Sequence, residues 1–99
     1  MSEAPRRLLV AYDVSSDARR DRVATALQAY GERIQYSVFL VDGRPADFVR
    51  LQVTLNALID PRTDRVLLCD LGDVRRARRT ITYLGQIPHL TGDRDALIL

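Results

Sequence analysis

The sequence predicts an α+β domain with two helices on one face of an antiparallel sheet, and three observations carry that expectation. Ninety-nine residues supply one hydrophobic core and exclude barrels and two-domain enzymes. A composition of 46% apolar and 28% charged residues, with five glycines and four prolines, is that of a folded domain, not a disordered tail or a collagen-like repeat. Apolar runs with strand character alternate with segments of helical spacing in the order β-α-β-β-α-β.

Leu8-Leu9-Val10-Ala11-Tyr12 is an unbroken apolar run ending at Asp13, which predicts a buried central strand. Asp13-Val14-Ser15-Ser16-Asp17 then supplies turn and capping residues. Val23, Leu27 and Tyr30 recur at helical spacing, so a helix over 17–30 is expected, with Gly31 as its stop. Residues 32–41 are rich in β-branched and aromatic side chains, and their alternation shifts at Tyr36-Ser37, predicting two short strands joined by a kink. Pro45 fits a first helical turn, and Phe48, Leu51, Leu55, Leu58 and Ile59 mark a second amphipathic helix. The segment 60–64 ends it, and Val66-Leu67-Leu68-Cys69 continues as a buried strand that turns at Gly72-Asp73. Beyond lie an arginine cluster, a short candidate strand over 80–84, a loop with Pro88 and Gly92, and the apolar run Ala96-Leu97-Ile98-Leu99.

This order is the split β-α-β arrangement of ferredoxin-like domains with an extra C-terminal strand. One sheet face, expected to bear residues of the kind of Val10, Val38 and Leu68, is left without helices, and a two-fold homodimer packed sheet on sheet is the expected cover. The chain reads as one domain over 1–99, with its core over about 8–84 and a segment, 85–99, for pairing with the partner chain.

Chemistry is sparse. One cysteine, Cys69, expected as a small filler in a buried strand, and one histidine, His89, make neither a disulfide nor a recognised zinc pattern. Phosphate loops, the HExxH pattern and nucleophilic triads are absent from the sequence. No run has the length of a signal peptide's apolar region or a membrane span, so a cytoplasmic location without membrane contact is expected. The net charge is a mild +2, but all fifteen basic residues are arginines, whose planar forks suit phosphates; a GC-rich genome accounts for the same bias.

Asp13 falls where the first strand delivers its last residue to an open edge. Either it caps the following turn through the Ser15 and Ser16 amides, or it meets a ligand. One carboxylate per chain holds magnesium poorly, whereas Asp13 from each chain of a dimer can share one hydrated Mg²⁺ that activates water against a phosphodiester. Arg19, Arg20, Arg22 and Arg33 stand near this point in the sequence, either gripping phosphates or pairing on a solvated helix face with Asp17 or Asp21. Arg75, Arg76, Arg78 and Arg79 either track a nucleic-acid backbone or solvate a loop. Tyr36 and Phe39 are core or interface aromatics, or base-stacking platforms.

Tyr12-Asp13-Val14, the arginines at 20 and 22, and Tyr30-Gly31-Glu32-Arg33-Ile34-Gln35-Tyr36-Ser37-Val38-Phe39 together resemble the CRISPR-associated protein 2 family. Asp64-Arg65-Val66-Leu67-Leu68, Leu84-Gly85 and the apolar C-terminus extend the resemblance over nearly the whole chain. It implies a ferredoxin-like homodimer whose last strand crosses to the partner. It also implies a role in spacer acquisition, in which the dimer bridges the CRISPR-associated protein 1 integrase and holds duplex prespacer DNA. A Mg²⁺-dependent endonuclease activity on single-stranded RNA or duplex DNA is implied as well. The family's metal-binding aspartate falls on Asp13 and its neighbouring tyrosine on Tyr12, and the resemblance implies that both are catalytic. Its functional arginines fall on Arg20, Arg22 and Arg33, and its motif serine and phenylalanine on Ser37 and Phe39. Departures are a short N-terminal extension, the lack of lysine, and Leu40-Val41-Asp42 after the phenylalanine. Two alternatives stand beside the nuclease: a catalytically inactive adapter in the integrase complex, and a toxin-like ribonuclease of the same fold, as in virulence-associated protein D.

Overall fold

The computed structural model describes residues 4–88. The elements follow the order β1 (Arg6–Asp13), α1 (Asp17–Gln28), β2 (Gly31–Gln35), β3 (Val38–Gly43), α2 (Pro45–Leu58), β4 (Arg65–Asp73) and α3 (Val74–Thr80). The sheet order is β2-β3-β1-β4 with every pair antiparallel, the ferredoxin-like arrangement expected from the sequence.

Alternation along the strands assigns the faces. Leu8, Val10 and Tyr12 of β1, with Phe39 and Val41 of β3, point to the helix layer and pack with Val23, Ala24 and Leu27 of α1 and Phe48, Leu51 and Leu55 of α2. Val66 and Leu68 lean on this core from β4. Val10 and Leu68 therefore belong to the covered face, a correction to the expectation that they lie bare. The other face carries Leu9, Ala11, Val38, Leu67 and Cys69, matched across the strands as Leu9 with Leu40 and Cys69, and Ala11 with Val38 and Leu67. Arg7 and Asp42 pair on that face through two hydrogen bonds of 2.7 and 2.9 Å, leaving Arg7 buried and its charge matched.

Four further departures from the sequence reading have local causes. Helix α1 stops at Gln28, capped by Ala29 in right-handed conformation. Gly31 instead opens β2, where a Cβ would come within 2.0 Å of the Leu40 carbonyl oxygen; glycine permits the strands to close there. Cys69 is exposed, because β4 is an edge strand and Cys69 points away from the helices. The arginine cluster is helical, not a loop: Asp73 accepts a 2.9 Å hydrogen bond from the Arg76 amide and so starts α3, which buries only Ala77. Thr80 is the last residue of α3 and residues 81–84 have no regular structure, so the strand expected over 80–84 does not form. The C-terminal strand expected over 96–99, and His89, lie outside the described residues.

Candidate nucleic-acid interface

At the end of β1, side chains alternate between core and surface: Tyr12 and Val14 are buried, whereas Asp13 is exposed. The Tyr12 ring tilts against Phe39, with centroids 6.3 Å apart. Its hydroxyl donates to the Tyr36 carbonyl at 3.4 Å, and its amide donates to the Ser37 carbonyl at 3.0 Å. Tyr12 thus fixes the β2–β3 turn beside the strand end that presents Asp13. Tyr12, expected from the resemblance as catalytic, is buried with its hydroxyl on a backbone carbonyl, and Ser37 meets it through its backbone.

Asp13 does not cap the turn. Ser16 is the N-cap of α1, its side chain accepting from the Arg19 amide, and the Ser15 amide donates to Asp64 Oδ1 at 3.1 Å. The Asp13 carboxylate makes no hydrogen bond or ion pair with any described residue. In the sheet register it lies opposite Arg65 of β4.

Two predicted arginines gather at the β2–β3 turn next to this strand end, on the helix side of the sheet. Arg20 is folded back, Nη2 donating to the Val14 carbonyl at 2.9 Å and Nη1 to Asp17 Oδ1 at 2.7 Å and the Tyr36 hydroxyl at 3.4 Å. The Asp17 hydrogen bond is the main cause of its raised pKa, followed after opposing desolvation by the Tyr36 hydroxyl. Arg33 lies 5.4 Å from the Phe39 ring centroid and 5.9 Å from that of Tyr36, within cation–π range of both. Arg22 is exposed and has no side-chain partner among the described residues. Phe39 is fully buried and belongs to the core, whereas Tyr36 is 69% exposed.

The remaining arginines fall elsewhere. β4 ends at Asp73, which pairs with Arg6 at the start of β1, so α3 stands at the opposite end of the sheet from Asp13. At the rise of an extended strand, the eight residues of β1 span about 23 Å. Arg75, Arg76, Arg78 and Arg79 form a separate basic surface, with Arg75, Arg76 and Arg79 exposed.

Sequence reasoning missed Asp64, whose side chain is wholly buried. Its Oδ2 accepts from Arg19 Nε at 2.7 Å and the Asp60 amide at 2.8 Å. Its Oδ1 accepts from Arg19 Nη2, the Thr63 hydroxyl and the amide and hydroxyl of Ser15 at 3.1–3.2 Å. The Arg19 guanidinium, aided by these backbone and hydroxyl donors, holds the carboxyl far below the usual carboxylate range against the opposing effect of burial. Arg19 therefore pairs with Asp64, not with Asp17 or Asp21, and ties the β1–α1 turn to the α2–β4 loop. No local sequence signal marks this pair, because its partners meet only in the folded chain.

Among the described residues, no three His, Cys, Asp or Glu side chains cluster as a metal site. Asp13 offers one free carboxylate, which suits a largely hydrated Mg²⁺ only as half of a shared site. No helix among the described residues is long and apolar enough to cross a membrane.

Fold and site define a ferredoxin-like domain with one unpartnered carboxylate beside arginines and tyrosines at the end of its first strand. Residues 6–79 match the family described as CRISPR associated protein Cas2, and the chain belongs to that family. It is 40% identical over 86 residues to CRISPR-associated endoribonuclease Cas2 3 of Rhodospirillum rubrum, covering 82% of this chain and 88% of that protein. The crystal structure of Streptococcus pyogenes Cas2 at pH 6.5 superposes with a TM-score of 0.71 at 34% identity, over 80% of this chain and 99% of that one. A chain of a partial Cas6-RT-Cas1--Cas2 complex is similar at a TM-score of 0.53 and 28% identity, over 67% of this chain and 78% of that one.

Proposed function

We propose that this chain acts as a homodimeric nuclease subunit of CRISPR spacer acquisition, with Asp13 as its metal ligand and catalytic residue. The observation that carries the reading is the free, exposed Asp13 carboxylate at the end of the central strand, opposite Arg65 of β4, with Arg20 and Arg33 ordered at the neighbouring β2–β3 turn. In the dimer, Asp13 of both protomers would hold one Mg²⁺. Such an ion supplies Lewis acidity and an activated water for phosphodiester hydrolysis. The chain's own residues bind and orient. Arg20 and Arg22 on α1, with Arg33 on β2, offer guanidinium forks to the phosphates, and Tyr12 keeps the hairpin turn against the strand that carries Asp13. Single-stranded RNA and duplex DNA are the candidate substrates; the endoribonuclease names of the relatives support the first.

Dimerisation would cover the face bearing Leu9, Ala11, Val38 and Leu67 and would pair residues 85–99 with the partner chain. The second reading, an adapter that bridges Cas1 and clamps prespacer DNA by phosphate contacts, is favoured by the α3 arginines. They form a basic surface remote from any carboxylate chemistry at Asp13. Similarity to a chain of a Cas1--Cas2 assembly supports the same partner.

Labelled RNA and duplex DNA incubated with the purified protein, in Mg²⁺ or EDTA, beside Asp13→Asn test this reading. Cleavage by the wild type in Mg²⁺ alone supports the nuclease. Binding of duplex by both proteins without cleavage by either replaces it with the adapter.

A further inference from the structure

Tyr36 has no use that the fold explains. It occupies the two-residue turn between β2 and β3, where glycine, asparagine or aspartate usually stands, and no non-glycine described residue has a positive φ that the turn would demand. Its ring is 69% exposed and takes no part in the core. The ring is nonetheless held in place. Tyr12 hydrogen-bonds the carbonyls of Tyr36 and Ser37, Arg20 Nη1 donates to the Tyr36 hydroxyl at 3.4 Å, and the Arg33 guanidinium sits 5.9 Å from the ring centroid. An ordered, solvent-facing aromatic with one cation at its hydroxyl and another over its ring is a surface that an unpaired nucleobase and its flanking phosphates recognise. Bases inside a duplex present no free π face to such a ring.

Resting on the nucleic-acid reading above, we propose that Tyr36 is a stacking platform for an unpaired nucleobase, with Arg20 and Arg33 toward the adjoining phosphates. It selects single-stranded or frayed nucleic acid for the Asp13 corner. Stacking is tolerant of base identity, so the platform distinguishes strandedness and not sequence.

The test uses the full chain and one oligonucleotide carrying 2-aminopurine, offered as a single strand and as a duplex. Wild type is expected to bind the single strand and change its 2-aminopurine fluorescence. Tyr36→Ala is expected to weaken single-strand binding about tenfold or more, to lose the fluorescence change, and to keep duplex affinity within about twofold. Tyr36→Phe, which retains the π face and loses the hydroxyl, is expected to keep single-strand affinity within about threefold. Wild-type single-strand affinity in Tyr36→Ala overturns the platform while nucleic-acid binding stands. Equal loss of both substrates, or a changed light-scattering mass, assigns Tyr36 a structural or interface role instead. Failure of the wild type to bind either form overturns the nucleic-acid reading and the platform with it.

Discussion

Asp13 and Asp64 flank the same β1–α1 turn and differ in every physical respect. Asp64 is buried, and donors from Ser15, Arg19, Asp60 and Thr63 surround its two oxygens. Asp13 is exposed and has no partner among the described residues. The contrast separates two uses of a carboxylate. Asp64 spends its hydrogen-bonding capacity on fixing two loops, whereas Asp13 leaves its own unspent among the described residues, as the proposed metal site requires. The first fixes the turn that follows Asp13, and the second is placed by the pairing of β1 with β4.

Replacing Asp64 breaks this comparison most strongly. Asp64→Ala leaves the Arg19 guanidinium and the Ser15 and Asp60 amides without their acceptor, and the melting temperature is expected to fall by on the order of 10 °C. Asp13→Asn removes no partner and is expected to leave it nearly unchanged. Acid sharpens the same point. Because folding lowers the Asp64 pKa, its contribution to stability is full above the unfolded-state value of about 4 and is lost as pH falls through the lower folded-state value. Asp64→Asn is expected to lose this component of the acid-denaturation curve; a curve parallel to wild type down to the lowest pH would contradict the assignment.

A smaller effect is expected on assembly. Removing residues 96–99 should shift the light-scattering mass from dimer toward monomer or aggregate, and a stable dimer after truncation would refute strand exchange. The smallest change falls on salt dependence. Arg20→Ala with Arg22→Ala should make the dependence of duplex affinity on salt shallower, by about one in log–log slope for each phosphate contact removed. Arg22→Ala alone is the cleaner half of this test, since Arg20 also holds the Val14 carbonyl and Asp17. An unchanged slope in the double variant counts against the phosphate grip.

Much of the fold was legible because local pattern and tertiary environment agree. The run ending at Asp13 reads as a strand and is the central β1, and the shift of alternation at Tyr36-Ser37 is the β2–β3 turn. Legibility failed where position depends on what another segment does. A continuous apolar run names a strand but not its faces, so it predicts Cys69 inside and residues of the kind of Val10 on a bare surface, the reverse of what the fold shows. The arginine cluster lacks an apolar stripe, since α3 buries only Ala77, and its one helix signal is Asp73 three residues before Arg76. The sequence places Asp64 in the loop where it lies but gives no sign of its buried role, because its partners come from both ends of the chain's first two-thirds. Sequence spacing leaves two roles for Asp13, and the structure gives the Ser15 amide to Asp64 and the N-cap of α1 to Ser16, so the capping role falls to other side chains.

The most direct test of the central contrast is Mg²⁺-dependent cleavage of one labelled substrate by wild type, Asp13→Asn and Asp64→Asn, at a temperature where circular dichroism finds all three folded. The account predicts that Asp13→Asn falls about a hundredfold or more, to the EDTA background, while Asp64→Asn still cleaves measurably in Mg²⁺. Wild-type cleavage by Asp13→Asn would contradict it.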